Sequence, residues 1–379
     1  MIIIKKCSQT KARTGKIKTL HGEVNTPVFM PVATQGTVKT LSNDELQKMN
    51  VEMFVSNTYH LYLRPGVDVI KAAGGLHKFT GWKGAILTDS GGFQVYSMSK
   101  IRKINEEGVQ FQSHIDGSNH FFTPELAIQL QIALGSDILM CFDECAPYPC
   151  QYDYAKQSME MTLRWAKRCK DEFAKSIRHT GNGPFSTFLP PLLFGITQGS
   201  TYTDLRIESA KRTVDLNFDG YAIGGLAVGE PEDVTTELIR AVCSVLPEDK
   251  PRYAMGVGSI RQIWECVENG IDIFDCVLPT RNGRNGQAFT FSGKINLKNS
   301  KYQDDFEPPE PGCNCPVCSQ YSRGYVHHLF KSGELLSLRL LSLHNLCFMI
   351  KLFKFIRKSI VEGKFSESKK EFFSKYVEE

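Results

Sequence analysis

The sequence lacks the features that mark membrane and secreted proteins. Hydrophobic residues make up 41% of its 379 residues, but we find no run near the ~18 consecutive apolar residues that a membrane-spanning helix needs. At the amino terminus only a few apolar residues precede Lys5 and Lys6, which is too few for the apolar region of a signal peptide. These absences predict a cytoplasmic protein without a membrane partner.

A strong excess of one charge is also missing. The chain carries 45 basic and 41 acidic residues, which gives a formal net charge of +4. Composition alone therefore does not indicate a nucleic-acid-binding protein, and any basic surface must be local. Arg281 with Arg284 forms one such place, and residues 351–370 form another, which is more typical of a solvated helix face.

The twelve cysteines do not predict a disulfide framework. Nine are scattered singly, mostly in apolar segments, as free core thiols are, whereas Cys313, Cys315 and Cys318 are clustered. In a reducing compartment, three thiolates on a tight loop indicate a zinc site.

The fourth ligand of this site is open on sequence grounds. The candidates are His327, His328, His344 and Cys347. We favour His344, which lies in a later helical pattern, and Cys347 on the same face is the competitor. Four protein ligands would leave no open position for a substrate, so the zinc is expected to be structural.

Eight short apolar runs alternate with amphipathic helical patterns. This alternation predicts a parallel sheet covered by helices, and eight units in roughly 250 residues is the count of a (β/α)₈ TIM barrel. An open doubly wound sheet is the alternative. The eight runs are 26–36, 53–58, 84–92, 137–144, 192–200, 220–229, 252–259 and 271–279.

The pattern suggests two domains in this α/β chain. Residues 1–303 are expected to form the catalytic barrel, with an insertion at 96–122 that contains a β-hairpin around Asp116-Gly117. A Pro-rich, acidic shift in composition begins at residue 304. Residues 304–379 are therefore expected to form a zinc-binding subdomain whose C-terminal helices pack on the barrel.

Polar or adaptable groups occur where the predicted strands end, which is where barrel enzymes place their reactive groups. Paired carboxylates suit chemistry at a glycosidic bond. Asp143 with Gln198 would suit the hydrogen-bonding edge of a planar heterocycle. The strand-end residues are Asp89, Asp143, Gln198, Gly225, Met255 and Asp275.

Asp275 has an unusual setting. It lies within the apolar, strand-like run 271–278, where an unpaired charge is costly to bury. Pro279 ends that run, and a Gly-rich segment with Arg281 and Arg284 follows, which we interpret as a flexible loop. A carboxylate that performs chemistry beside a loop that holds phosphate would explain this arrangement.

The segment after Asp89 also suits a base. Ser90, Gly91 and Gly92 would let the backbone come close to a ligand, and Phe93 could stack on a ring.

Taken together, these residues resemble those of the bacterial tRNA-guanine transglycosylases, the queuosine-pathway enzymes built on a TIM barrel with a zinc subdomain. The resemblance covers nearly the whole chain, although residues 365–379 lie outside it. The matching motifs are NTYHLYLRPG, TDSGGFQ, FDEC, QGS, GGLAVGE, MGVG, FDCVLPTRNGRNGQAF, CNCPVC and HHL…HN.

The resemblance implies roles for individual residues. Asp275 would be the nucleophile that attacks the ribose, giving a covalent enzyme–RNA intermediate, and Asp89 would be the general acid/base. Cys313, Cys315, Cys318 and His344 would bind one Zn²⁺ ion per subunit.

The resemblance also implies a base pocket and an RNA-binding surface. The residues of the pocket would be Ser90, Gly91, Gly92, Phe93, Asp143, Gln198, Gly225, Leu226 and Met255. The residues that contact tRNA would be Gly256, Val257, Gly258, Ser259, Ile260, Arg261, Gln262, Thr280, Arg281, Asn282, Gly283 and Arg284.

The implied substrates are guanine in the anticodon loop of tRNA and an incoming 7-deazaguanine. Cys145 and Val228 resemble the subclass that takes 7-aminomethyl-7-deazaguanine, and the family implies a homodimer. Two other classes stay open: a small-molecule glycosidase or nucleoside hydrolase on the same barrel, and a non-catalytic RNA-binding subunit.

Overall fold

The computed structural model describes residues 1–94, 102–179 and 189–377, and its centre is an eight-stranded parallel barrel. The strands follow the spatial order β4-β14-β13-β12-β11-β10-β6-β5, and a parallel bridge between Val32 and Val55 joins the two ends. The predicted (β/α)₈ barrel is thus confirmed, and the open sheet is excluded. The strands are β4 (Val28–Pro31), β5 (Met53–Asn57), β6 (Ala85–Asp89), β10 (Ile138–Met140), β11 (Leu192–Thr197), β12 (Gly220–Ile223), β13 (Arg252–Ala254) and β14 (Ile273–Cys276).

Side chains alternate between the interior of the barrel and its outer surface. Met30, Leu87 and Ile273 belong to the buried cluster that fills the interior. Phe274 and Cys276 of β14 belong to the larger cluster between strands and helices. This period of two is what places alternate residues on opposite faces of a strand.

Helices cover the outside of the barrel, and local signals set their ends. The Thr123 side chain accepts a hydrogen bond from the Leu126 amide, Pro124 is the first helical residue, and Gly135 ends the helix at a φ of 75°, as helix-capping preferences predict. The outer helices are α5 (Pro124–Leu134), α6 (Tyr152–His179), α7 (Thr203–Asp215), α8 (Glu232–Cys243) and α9 (Ile260–Glu268).

Smaller elements fill in the first third of the chain. An antiparallel sheet precedes the barrel. Four short helices lie between the first three strands of the barrel, β4, β5 and β6. The sheet contains β1 (Ile2–Lys6), β2 (Arg13–Thr19) and β3 (Gly22–Thr26); the helices are α1 (Asn43–Lys48), α2 (Thr58–Leu63), α3 (Val67–Ala72) and α4 (Leu76–Thr80).

The insertion contains the predicted hairpin. β8 (Val109–Gln112) pairs antiparallel with β9 (Asn119–Phe122), and β7 (Arg102–Ile104) pairs with β8 to complete a three-stranded sheet. Residues 95–101, which include the start of the predicted insertion, lie outside the described residues.

The segment after β14 corrects one expectation. Residues Leu278–Arg284 form a helix, α10, rather than a flexible loop. Gly283 packs so closely on the next long helix that a Cβ at this position would lie 2.6 Å from the Ser342 amide nitrogen. Tertiary packing therefore overrides the low helix propensity of Gly and Asn.

The C-terminal part of the chain is a hairpin followed by three helices. The helix α12 (Leu335–Val361) is long and apolar enough to pass for a membrane span, although it contains no long uninterrupted apolar run, but 72% of its most apolar 18-residue window is buried inside the protein. Its composition is that of a core helix. The elements are β15 (Gln287–Thr290), β16 (Gly293–Asn296), a 3₁₀ turn (Ser300–Tyr302), α11 (Arg323–Lys331), α12 (Leu335–Val361) and α13 (Phe365–Lys375).

The tail is packed rather than loose. Phe365 and Phe372 of α13 lie against the buried ring of Trp264, with ring centroids 5.4 and 5.5 Å away. Trp264 belongs to α9, so the tail is attached to the outer layer of the barrel.

Candidate active site and metal centre

Asp89 ends β6 at the carboxyl rim of the barrel and is held by three donors. The Asn57 side-chain amide donates to Oδ2 at 2.6 Å, and the Thr58 and Gly91 amides donate to Oδ1 at 3.2 and 3.1 Å. Burial, with the charge of Asp275 adding to it, raises the pKa of Asp89 to about 7 despite these bonds. A carboxyl group with such a pKa exchanges a proton readily at neutral pH.

Asp275 lies in β14, and one of its two carboxylate oxygens accepts hydrogen bonds. Oδ1 accepts hydrogen bonds from the Tyr253 hydroxyl at 2.7 Å and the Gly256 amide at 2.8 Å. Among the described residues, Oδ2 has no hydrogen-bond partner. Burial raises the pKa of Asp275, and the two donors act in the opposite direction. The carboxylate is therefore oriented by one oxygen and available for reaction through the other.

Asp143 and Gln198 form a buried pair on the neighbouring strands. The Gln198 amide nitrogen donates to Asp143 Oδ2 at 2.7 Å, and the Ser90 hydroxyl donates to Oδ1 at 3.3 Å. Burial raises the pKa of Asp143 to about 6. Gln198 Oε1 is buried and has no hydrogen-bond partner among the described residues, and such an acceptor is costly unless a ligand satisfies it.

Glycines allow these groups to meet. A Cβ at Gly92 would lie 2.5 Å from the Asp143 carbonyl oxygen, and a Cβ at Gly225 would clash with Gln198 Oε1. Gly225 also has a φ of 63°, which glycine adopts without strain. Leu226, the next residue, is buried.

Phe93 and Met255 differ in their exposure to solvent. Phe93 is 43% exposed, so its ring offers a surface on which a planar base could stack. Met255 directly follows β13 and is half-buried against the cluster inside the barrel.

Only some residues of the segment 256–262, which the resemblance assigns to tRNA contacts, are exposed to solvent. Gly256 and Arg261 are exposed, whereas the side chains of Val257 and Ile260 are in the core. The buried Ser259 caps α9 through the Gln262 amide. The close approach of Gly258 to Cys276 leaves no room for a side chain there.

Helix α10 presents its basic side chains unequally. Arg281 is exposed, and Arg284 is half-buried. The terminal nitrogen Nη1 of Arg284 is buried and finds no acceptor in the part of the chain that the structure describes. Thr280 and Gly283 are buried, and the Asn282 side chain donates to Gln287. A guanidinium left partly unsatisfied is suited to an anionic ligand.

The predicted metal ligands come together. The ligand atoms of Cys313, Cys315, Cys318 and His344 lie within 4.8 Å of one another, so the group could hold a metal ion. His344 Nε2 donates to the Phe289 carbonyl at 2.8 Å, which leaves Nδ1, 3.3 Å from Cys318 Sγ, free to be a ligand. An imidazole oriented in this way is typical of metal sites.

Two of the alternatives to His344 lie outside the group of ligand atoms. Cys347 is buried nearby but is not part of the group, and His327 is engaged with the Leu297 carbonyl at 2.8 Å.

A second group of ligand-type side chains lies at the opposite end of the barrel. His21, His77 and Asp137 are close enough to hold an ion, but the Asp137 carboxylate already accepts bonds from the His21 amide and ring and from the Ile86 amide. These bonds attach the β2–β3 turn to the barrel.

Two residues that hydrogen-bond to the rim carboxylates, Asn57 and Tyr253, are not among the predicted site residues. Asn57 ends its strand just as Asp89 does, so the rule that selected Asp89 could also have selected it. Tyr253 faces inward in β13, but nothing in its sequence neighbourhood indicates that it bonds to Asp275.

The arrangement brings a carboxyl group with a pKa of about 7, a carboxylate with one free oxygen and the buried Asp143–Gln198 pair to one rim. It can support displacement at a sugar carbon and recognition of a heterocyclic base.

Comparison with known proteins agrees with this chemistry. The sequence model of the queuine tRNA-ribosyltransferase family matches residues 7–378, so it extends over most of the tail 365–379, which lies outside the motif resemblance. The queuine tRNA-ribosyltransferase of Caldanaerobacter subterraneus subsp. tengcongensis is 54% identical over 374 residues, covering 99% of this chain and 96% of the relative.

Two further relatives carry the same description. The protein from Acetivibrio thermocellus is 52% identical, with 99% of this chain and 97% of the relative covered. The protein from Bacillus subtilis is 51% identical, with 98% and 95% covered. A family match and relatives of this similarity over almost the full length establish that the chain belongs to the queuine tRNA-ribosyltransferase family.

Proposed function

We propose that this protein exchanges a guanine in the anticodon loop of tRNA for 7-aminomethyl-7-deazaguanine, by double displacement through a covalent enzyme–tRNA intermediate. Family membership supports the tRNA-guanine exchange. The single observation that supports the mechanism is the pairing of the carboxyl groups of Asp89 and Asp275 at one rim, where burial, with the charge of Asp275 adding to it, raises the pKa of Asp89.

Asp275 is the proposed nucleophile. Its free Oδ2 attacks the anomeric carbon of the ribose while the bond to guanine breaks, giving a ribosyl ester. The Tyr253 hydroxyl and the Gly256 amide hold Oδ1 in place, so little reorganisation is needed before attack. The incoming base then attacks the same carbon and releases the carboxylate.

Asp89 is the proposed acid/base. It gives a proton to the departing guanine in the first step and takes one from the incoming base in the second. A pKa of about 7 allows both protonation states at neutral pH, which is the best compromise for a group with both duties.

The base pocket consists of Asp143, Gln198 and the backbone at Gly225 and Leu226, with Phe93 and Met255 as stacking partners. The unpartnered Gln198 Oε1 accepts from the base, and Asp143 reads its donor edge. Ser90, Gly91 and Gly92 line the acid/base side. The choice of the aminomethyl base over queuine rests on Cys145, a small buried side chain, and on Val228.

Arg281 and Arg284 are the proposed phosphate contacts, and Gly256 and Arg261 extend that surface. The target base must leave the stack of the anticodon loop before its glycosidic bond can be reached. Contacts to the flanking phosphates would hold the loop while this happens.

Zinc is the proposed metal, because three thiolates and one imidazole are the donors of structural zinc sites. When bound, the ion supplies folding free energy rather than chemistry. We propose that residues 304–379 form the subdomain around it and that residues 1–303 form the catalytic barrel. A homodimer through this subdomain would cover Phe306 and Leu335, which are 82% and 79% exposed. The proposed location is the cytoplasm.

The test is incorporation of labelled guanine into unmodified tRNA, with a free nucleoside as the control substrate. Incorporation into tRNA alone supports the proposal. Cleavage of the nucleoside would favour a glycosidase or nucleoside hydrolase, and tRNA binding without exchange would favour a non-catalytic subunit. Competition by 7-aminomethyl-7-deazaguanine against queuine then tests the choice of incoming base.

A further inference from the structure

Arg206 of α7 is fully buried, and its guanidinium is bound by backbone carbonyl groups. Its Nε donates to the Ser200 carbonyl at 2.6 Å, Nη1 to the Gly224 carbonyl at 2.6 Å, and Nη2 to the Gly225 carbonyl at 2.8 Å. In the described parts of the chain, no acidic oxygen lies within ion-pair distance of it. Burying an unpaired charge is expensive, so a purely space-filling role would be served better by an apolar side chain.

The carbonyl groups that Arg206 holds fix the direction of two amides. In a planar trans peptide, the N–H points away from the C=O, and the cis peptides among the described residues all precede proline. Because the carbonyls of Gly224 and Gly225 face Arg206, the amides of Gly225 and Leu226 face the other way. Neither amide has a hydrogen-bond acceptor among the described residues, whereas those of Ala227 and Val228 are bound by Glu230.

The side opposite Arg206 is the base pocket. A Cβ at Gly224 would lie 3.1 Å from Gln198 Nε2 and 3.5 Å from Asp143 Oδ2, and one at Gly225 would clash with Gln198 Oε1. The two free amides therefore border the polar pair that reads the base. Two adjacent donors suit a carbonyl oxygen and disfavour an amino group, which would itself donate.

We propose that Arg206 is a positioning residue for base selection: it holds the carbonyls of Gly224 and Gly225 out of the pocket, so that the amides of Gly225 and Leu226 select the 6-oxo group of a guanine-type base. The inference rests on the proposed function. Without the guanidinium, the two carbonyls lose their donors, and rotation of either peptide turns a carbonyl towards the base, which accepts a 6-amino group instead.

The experiment compares inhibition of tRNA exchange by guanine and by 2,6-diaminopurine, which carries an amino group at position 6. For Arg206→Met, we expect the preference for guanine to fall by about ten-fold or more, as for loss of a buried polar contact. Arg206→Lys keeps the charge but not the planar fork, and we expect it to recover part of the preference. The KM for tRNA should stay within about two-fold.

Arg212→Met is the matched control. Arg212 lies on the same helix but is paired with Glu160 and Glu208 at the surface, so its removal should leave the preference unchanged. If Arg206→Met and Arg206→Lys weaken the inhibition by guanine and by 2,6-diaminopurine equally, so that the ratio between the two bases is unchanged, the inference is overturned. If Arg206→Met does not fold, the ratio in Arg206→Lys decides alone, and an unchanged ratio there overturns it too. Failure of the wild type to exchange guanine into tRNA would instead refute the proposed function.

Discussion

The Tyr253 hydroxyl donates to Asp275 Oδ1 across 2.7 Å, from the strand next to the one that carries the carboxylate. This bond stabilises the ionised form of Asp275 and opposes the rise in pKa that burial causes. It also leaves Oδ2 as the oxygen available for the proposed attack. The tyrosine therefore stabilises the charge of the proposed nucleophile and fixes the orientation of its carboxylate.

We predict that Tyr253→Phe lowers kcat/KM about ten-fold at pH 7, since a hydrogen bond to a charged group is worth roughly 1.5–3 kcal/mol. Loss of the bond raises the pKa of Asp275. The acid limb of the pH profile should therefore move to higher pH, and part of the activity should return on the alkaline side. Tyr221→Phe is the control, because Tyr221 is equally buried in the adjacent β12. An unshifted acid limb in Tyr253→Phe would contradict the role.

We predict that the stability of Asp89→Asn relative to wild type rises between pH 4 and pH 8. The pKa of Asp89 is raised from 3.8 to about 7, so its ionised form is disfavoured in the folded state. The penalty is absent below the unfolded pKa, grows as pH rises and is complete above about 7, where it reaches at most a few kcal/mol. Asparagine removes the ionisable group and with it the penalty.

The measurement is thermal unfolding of both proteins between pH 4 and pH 8. The Tm of Asp89→Asn relative to wild type should fall as pH falls towards 4. Asp171→Asn, at an exposed pair with Lys167 on α6, controls for the substitution itself. A Tm difference between Asp89→Asn and wild type that stays constant from pH 4 to pH 8 would contradict the raised pKa.

Sequence signals located the barrel because each was local. Thr123, Pro124 and Gly135 determine both ends of α5 without reference to the rest of the fold. The strand-end rule likewise found Asp89 and Asp275, because chain direction alone brings strand ends to one rim.

What the sequence left open depends on contacts between distant residues. The helical form of α10 follows from packing of Gly283 against α12, which propensity does not report. His344 and Cys347 lie on one helix face, so spacing could not decide between them as ligands. Arg206 gave no signal, because its acceptors are backbone carbonyls on two different strand ends.

We predict that His344→Ala loses the metal and also weakens tRNA binding. The neighbouring Asn345 donates to the Pro279 and Gln287 carbonyls at 2.9 Å and accepts from the Phe289 amide. The segment of α12 that carries His344 is therefore hydrogen-bonded to α10 through Asn345. Metal binding free energy is folding free energy, and α10 should loosen when it is lost.

Metal analysis of the purified protein and proteolysis near residue 284 are the measurements, with Cys313→Ala as a second ligand variant. His327→Ala removes a buried histidine outside the group and should keep the metal. Full zinc occupancy in His344→Ala would assign the fourth position to Cys347.

We predict that Arg281→Ala raises the KM for tRNA and leaves the affinity for free base unchanged. Each lost phosphate contact should flatten the log–log salt dependence of tRNA binding by roughly 0.7–0.9. Arg284→Ala should act in the same direction. Arg240→Ala, an exposed arginine on α8, is the control and should not alter the slope. An unchanged slope with weaker base binding would place Arg281 in the pocket instead.

The most direct test of the mechanism is to trap the intermediate. Wild-type protein incubated with unmodified tRNA, without incoming base, should form an adduct that survives denaturing electrophoresis and disappears when guanine is added. Asp275→Asn should form none and lose roughly 10⁴-fold or more of its activity, as for members of a catalytic unit. An adduct that persists in Asp275→Asn but vanishes in Asp89→Asn would reverse the two roles and contradict the account.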